Sequence, residues 1–194
     1  MKSGLTIVEM AQQIERQSKL KQDYLLDTRR LQVEPFGSQL YLHTFDDHDD
    51  PLVEPLEINQ IAHRQIGTHL KIPAAYYDRM LSDYPELLAE NVNSWFQREP
   101  TQRMLRTLDG TVRAFLSNRY RRIDNLDIAE IVLPVIQQME DAYFESCQIT
   151  DSRMYIKVVN KRLEAEVVPG DIVQSGVIIS NSEVGLGSVN IQPL

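Results

Sequence analysis

Residues 103–117, RMLRTLDGTVRAFLS, decide the fold that the sequence predicts. Two runs with strand-forming residues, Arg103–Leu108 and Thr111–Ser117, flank the dipeptide Asp109–Gly110. Asp-Gly is a strong signal for a two-residue hairpin loop, because both central residues of that turn must tolerate a positive φ. The sequence therefore predicts an antiparallel hairpin in the middle of the chain.

A regular ladder on this turn predicts which side chains face each other. Arg106 is expected opposite Arg113, and Met104 opposite Phe115 on the same face. The other face, expected to be the core face, carries Leu105, Thr107, Val112, Ala114 and Leu116. Like charges directly opposite each other destabilise a sheet by roughly 0.2–1 kcal/mol. Two kinds of anion could relieve the repulsion, an internal acid such as Glu183 or a phosphate gripped by both nitrogens of an arginine.

The chain before the hairpin carries mainly helical signals. Two short strands are predicted between Arg30 and Phe45, around a turn at Pro35–Ser38. Asn59 suits the N-cap of a helix, and Pro73 and Pro85 each suit a first helical turn. Apolar residues at helical spacing predict a helix at the start of the chain, on Ile7, Met10, Ala11 and Ile14. One face of the helix after Pro85 is expected to hold Leu88, Val92 and Trp95.

The chain after the hairpin predicts one helix and then strands. Asp124 or Asn125 is a suitable N-cap, and Pro134 is expected to bend the helix. Its apolar stripe is predicted on Ile128, Ile131, Val132, Val135 and Met139. From Phe144 onward the apolar period is two, as in strands. The predicted fold is α+β, with a helical N-terminal half and, in the C-terminal half, an antiparallel sheet with packed helices. Residues 1–194 are expected to form one domain with a soft boundary near 98–100.

Composition limits the class of protein. The 194 residues are 42% hydrophobic and 25% charged, which are ordinary globular values. No apolar run approaches the roughly 20 residues of a membrane span, and no signal sequence is recognisable, so no membrane partner is expected. The single cysteine, Cys147, excludes an internal disulfide and is predicted to be a buried, inert thiol. These features predict a cytoplasmic protein.

The charge is distributed unevenly along the chain. The net charge is −8, yet residues 98–122 contain seven arginines and only two acids. Residues 43–57 contain six acids and no lysine or arginine. An acidic chain does not attract nucleic acid by its overall field, so any such binding would need a local basic patch.

The basic segments are the candidate nucleic-acid site. Arginines with an aromatic among them can grip phosphates and stack a base, as in proteins that bind single strands. The candidates are Arg106, Arg113, Arg119, Tyr120, Arg121 and Arg122, together with the strand-face residues Arg153, Tyr155 and Lys157. The amide groups of the helix that begins near Asn125 would point at the same region. The structural alternative is a core Tyr120 with the arginines tied to local acids.

Catalytic and metal-binding signals are weak. Asn181, Ser182 and Glu183 are followed by two nearby glycines, so a structural turn is predicted, with a partner acid for the arginines or a lone catalytic acid as alternatives. The acidic residues 46–50 lack the spacing and glycine of a calcium loop, so a solvated loop is predicted. His63 and His69 lack zinc spacing and are predicted to be surface or helix-end residues. No catalytic constellation, metal site or cofactor is predicted.

Three stretches resemble one family. They are Ile72–Met80 with its continuation Pro85–Asn93, Val112–Arg121 with Asp124–Asn125, and Gly176–Ser188. They are similar to the uncharacterised phage/plasmid-like proteins, a domain of unknown function found in prophages, plasmids and phages. The resemblance covers most of the chain from about residue 57 and implies a mobile-element origin, but no activity. It also implies a further strand beyond Leu194, so the chain resembles either a trimmed piece of such a protein or a shortened relative.

Three functions are therefore predicted as alternatives. The first is binding of single-stranded nucleic acid in recombination or DNA maintenance, by one copy of the chain or by an oligomer of it. This function is in line with a fold-level similarity to phage single-strand-annealing proteins. The second is a protein-interaction or anti-defence module that binds a host or phage protein through the acidic loop and the helical first half. The third is an enzyme with a carboxylate-centred pocket around Glu183.

Overall fold

The computed structural model describes residues 4–168 and 171–194. It contains helices and two sheets, which confirms the α+β class. Contacts divide the chain into two compact units, one formed by Leu20–Tyr120 and the other by Met1–Lys19 together with Arg121–Leu194. The predicted soft boundary at 98–100 lies inside the first of these units.

The unit Leu20–Tyr120 is built on a six-stranded mixed sheet with the strand order β1-β5-β6-β4-β3-β2. Neighbouring strands are antiparallel except β4 and β6, which are parallel. The strands are β1 (Lys21–Asp27), β2 (Leu31–Phe36), β3 (Gln39–Thr44), β4 (Leu56–Ile58), β5 (Gln102–Leu108) and β6 (Thr111–Ser117). The prediction of a helical N-terminal half is therefore wrong in part, because four of these strands lie in that half of the chain.

Three helices pack on one face of this sheet: α2 (Gln60–His69), α3 (Ala74–Asp83) and α4 (Pro85–Arg98). The predicted starts of α2 and α4 are confirmed, since the Asn59 side chain accepts a hydrogen bond from the Ala62 amide and Pro85 occupies the first turn of α4. Pro73 stands at the N-cap of α3, one position before the first turn predicted for it. The predicted face of α4 is wrong at Trp95, which is 40% exposed, because Phe96 takes the core position beside Val92.

The other unit packs two helices against an antiparallel sheet with the order β10-β9-β8-β7. Its elements are α1 (Ile7–Leu20), α5 (Asn125–Gln138), β7 (Ala142–Ile149), β8 (Met154–Val168), β9 (Asp171–Asn181) and β10 (Asn190–Pro193). This sheet confirms the strands predicted after Phe144. Met154, Ile156 and Val158 are buried and turn one face of β8 toward the core.

The apolar stripe predicted on α5 is rotated in the structure. Ile128 is buried as expected, but the helix also buries Ala129 and Ile136, whereas Ile131 and Val135 are exposed. The reason is that this helix is apolar at more positions than one face can hold, so spacing alone left its orientation open.

Candidate nucleic-acid interface

The central hairpin forms around the predicted turn, but its register differs from the prediction. Asp109 and Gly110 have φ values of 49° and 76°, as a two-residue turn requires. The ladder then shifts between Arg106 and Thr107, so that Arg106 pairs with Ala114 and not with Arg113. Arg113 is the extra residue of a β-bulge, and a bulge moves every later pair along by one residue. The predicted Arg106–Arg113 pair is therefore wrong.

Arg106 points into the protein and is neutralised there. Its Nε lies 2.9 Å from Oδ1 of Asp23, the residue opposite it on β1, and its Nη2 lies 3.3 Å from Oδ2. The side chain of Arg106 is only 3% exposed. A buried arginine paired with an internal acid cannot serve an external phosphate, so Arg106 does not belong to a binding surface.

Other arginines of the hairpin are partly withdrawn from solvent as well. Arg113 is half-buried at the bulge. Arg103 lies over the ring of Phe115, 4.7 Å from its centroid, and donates to the Phe115 carbonyl oxygen at 3.3 Å. Burial lowers the pKa of Arg103. The hairpin itself therefore offers little exposed positive charge.

The segment that leaves the hairpin is different. Arg119, Arg121 and Arg122 are exposed, while Tyr120 is half-buried and its amide donates to the Ser117 carbonyl oxygen at 3.0 Å. Within the described part of the chain, no carboxylate pairs with Arg119 or Arg121. Among the predicted residues, these two guanidinium groups are the ones left available to an external anion.

Both basic side chains of the predicted strand face at β8 already bond to neighbours in their own unit. Arg153 donates to the carbonyl oxygen of Leu186, and Lys157 lies 2.6 Å from Oε2 of Glu145 on β7. Tyr155 is exposed between them. The strand predicted here is confirmed, but two of its three candidate side chains are already engaged.

Asn181, Ser182 and Glu183 form a buried motif that holds the start of α5. Glu183 is 4% exposed, and its Oε1 accepts a hydrogen bond of 2.8 Å from the Asn125 amide. Asn181 Nδ2 donates to the Asn125 side chain at 2.9 Å and to a backbone oxygen nearby at 3.1 Å. Ser182 Oγ accepts from the Leu186 amide at 3.1 Å. The motif therefore acts as a turn and a helix cap, and the Asn125 amide expected to meet a phosphate is already bonded.

A buried His–Tyr pair was not predicted. His63 is 9% exposed, and its Nδ1 lies 2.8 Å from the hydroxyl of Tyr77 across α2 and α3. Burial lowers the pKa of His63 to about 4 and raises that of Tyr77. The surface position predicted for His63 is wrong, because the residue lies between Ala62 and Ile66 on the apolar face of its helix. His69 ends α2 as predicted and lies 3.2 Å from the Thr101 hydroxyl.

The thiol of Cys147 and the carboxylate of Asp46 are placed as structural groups. Cys147 is buried, and burial raises the pKa of its thiol, as expected of an inert cysteine. Asp46 accepts hydrogen bonds from the amides of His48 and Asp50 in its own loop at 2.7 and 3.0 Å, which lowers its pKa. Within residues 4–168 and 171–194, no group of three or more His, Cys, Asp or Glu side chains is placed to hold a metal ion.

Comparisons with known proteins found no match for this chain among family models, curated proteins or solved structures. The resemblance to phage/plasmid-like proteins therefore stays a prediction from the three sequence stretches. Among the described residues, no helix has the length and apolar character needed to cross a membrane.

Proposed function

We propose that the chain binds single-stranded nucleic acid through the segment Asn118–Arg122, as a factor of a mobile genetic element. The observation that supports this function is the exposure of Arg119 and Arg121 without an acid partner among the described residues. In this chain most other cations of the predicted site are buried or paired, so these two stand apart. They lie in the connection between β6 and α5, which begins with a turn at Asn118 and Arg119.

The chemistry of the segment fits a single strand. Guanidinium groups bind phosphate oxygens with paired hydrogen bonds, and they also stack on bases. Tyr120 lies between the arginines in sequence, and an aromatic ring adds a stacking surface that accepts any base. Binding would be independent of sequence, because phosphate contacts position a protein without reading base edges.

The decisive experiment compares two double charge reversals in the binding of labelled oligothymidine at low salt. Arg119→Glu with Arg121→Glu removes the proposed contacts, and we expect affinity to fall about tenfold or more, because two phosphate contacts are lost and repulsion is added. Arg16→Glu with Arg98→Glu is the matched control, since both residues are exposed on helices and the change in net charge is the same. Equal losses in the two variants, or no binding by the unmodified chain, would refute the proposal.

A second candidate function, a module that binds another protein, is favoured by one specific feature. An aromatic cavity opens on the solvent face of β2 and β3, with the carboxylate of Glu34 in its wall and the exposed Glu54 next to its Pro55. An anionic surface of this kind repels nucleic acid, so it belongs to a different kind of partner.

A further inference from the structure

The cavity on the β2–β3 hairpin has a volume of about 330 Å³. Its walls are formed by Glu34, Pro35, Phe36, Tyr41, His43 and Pro55. These strands alternate cleanly, since Leu31, Val33, Leu40 and Leu42 are buried on the opposite face. The cavity therefore lies on the side of the two strands that faces solvent.

Two aromatic rings shape the cavity. Phe36 is 78% exposed, and its ring meets that of Tyr41 edge to face, with centroids 6.1 Å apart and an interplanar angle of 89°. An exposed phenylalanine contributes nothing to the core, and exposed apolar surface rimmed by polar groups is typical of interaction sites. Perpendicular rings beside a carboxylate, here that of Glu34, form a surface suited to a cation, because the ring faces are electron-rich.

The charge around the cavity points to the same ligand. Some acids of residues 43–57 are engaged internally, since Asp47 pairs with Arg30 and Glu57 accepts a hydrogen bond from Gln39 at 2.7 Å. The wall of the cavity carries the carboxylate of Glu34, which accepts a hydrogen bond from Gln32 at 2.7 Å and lies 3.3 Å from Nε2 of His43. Glu54, next to Pro55 in the chain, is exposed and has no cationic partner among the residues described by the structure. The rim is therefore negative, and its partner is expected to be positive.

We propose that this face binds an arginine-containing segment of a protein partner, with a guanidinium lying against Phe36 and Tyr41 and pairing with the acidic rim. Arginine fits better than lysine, because its planar group stacks on an aromatic face while its edge binds carboxylates. This inference is independent of the proposed nucleic-acid site, since it uses other residues and the opposite charge. Each can fail without the other.

The test uses the full chain and a fluorescein-labelled peptide of glycine, serine and two arginines, with a citrulline version as the neutral isostere. We expect the arginine peptide to bind and the citrulline peptide to bind at least about tenfold more weakly, since the charge pairing is lost. Phe36→Leu keeps apolar area but removes the ring, and it is expected to weaken binding about two- to fivefold. Because Phe36 is largely exposed, the thermal midpoint of this variant should not change.

Charge variants separate local from general attraction. Glu34→Gln with Glu54→Gln should weaken binding and make it less sensitive to salt, whereas the matched pair Glu86→Gln with Glu90→Gln on α4 should leave it unchanged. Arg119→Glu with Arg121→Glu should not weaken peptide binding. Equal affinity for the two peptides, or no effect of Phe36→Leu, would overturn the proposal. Light scattering that showed self-association abolished by Phe36→Leu would also overturn it, since the occupant would then be a second copy.

Discussion

Arg106 on β5 and Asp23 on β1 face each other across neighbouring strands and form a buried ion pair, with Nε 2.9 Å from Oδ1. The arginine is 3% exposed, so water cannot replace a lost partner. Removing one member of such a pair leaves an uncompensated buried charge and costs roughly 3–5 kcal/mol.

The first prediction therefore concerns stability. Asp23→Asn should lower the free energy of unfolding by about 3 kcal/mol, measured by urea denaturation. Asp49→Asn, in an exposed loop, is the control and should change it by less than about 0.5 kcal/mol. Asp23→Leu with Arg106→Met should cost much less than Asp23→Asn, because a matched apolar pair leaves no buried charge. Similar stability of Asp23→Asn and the unmodified chain would contradict the assignment of Arg106 to the interior.

Glu183 supports a second prediction, on the start of α5. Its Oε1 accepts the Asn125 amide at 2.8 Å inside the protein, and an acid near a helix N-terminus is also favoured by the helix dipole. Glu183→Ala leaves that amide without an acceptor and should cost about 1–3 kcal/mol of unfolding free energy. Glu183→Gln retains an oxygen acceptor and should cost less.

The control for Glu183 is Glu130→Ala on the exposed side of α5, which should change stability by less than about 0.5 kcal/mol. If Glu183→Ala and Glu130→Ala were equally stable, the capping role would be wrong. If Glu183→Gln and Glu183→Ala lowered the free energy of unfolding equally, the side-chain oxygen at this position would not be the group that stabilises the start of α5.

Local signals in the sequence predicted the parts of the fold that local chemistry determines. The turn at Asp109–Gly110, the Asn59 cap and the first turn at Pro85 each depend on residues within a few positions, and all three are present. The candidate site depended instead on register. A bulge at Arg113 is compatible with the same turn and the same strands, so the sequence alone did not reveal it.

Pairing between distant segments was the other source of error. Strand β1 carries too few apolar alternations to be recognised, and the position of Asp23 opposite Arg106 follows only from that strand's pairing with β5. From the sequence we expected that an internal acid could neutralise Arg106, but the acid that we gave as an example was Glu183. His63 was missed for a related reason, since its partner Tyr77 lies on another helix.

Salt dependence gives a third prediction, for the proposed nucleic-acid segment. The logarithm of the association constant should fall linearly with the logarithm of salt concentration, with a slope of about −0.7 for each phosphate contacted on a single strand. Neutralising Arg119 and Arg121 with glutamine should reduce the magnitude of this slope by roughly 1.4 if each binds one phosphate. An unchanged slope, measured by anisotropy across a salt titration, would show that these arginines do not contact the backbone.

The fourth prediction is a pH dependence of stability that originates at His63. Burial lowers its pKa in the folded state to about 4, with a further lowering by the Arg64 charge and an opposing effect of Asp78. An unfolded histidine titrates near 6.5, so the unfolded chain binds an extra proton in the interval between these values. Stability therefore should be complete above about pH 6.5 and decline as the pH falls toward 4, with a total loss of roughly 3 kcal/mol.

Replacement of the histidine tests this assignment. Protonation would bury a positive charge beside the Tyr77 hydroxyl, whereas a glutamine at position 63 does not titrate. His63→Gln should therefore lower stability at pH 7 but flatten its dependence between pH 6.5 and 4, measured by denaturant midpoints at each pH. His48→Gln in the exposed loop should leave the pH profile unchanged. The upper part of the interval, from about pH 6.5 to 5.5, is the informative one, because carboxyl groups titrate mainly near pH 4. A profile that keeps its slope there in His63→Gln would assign the titration to another group.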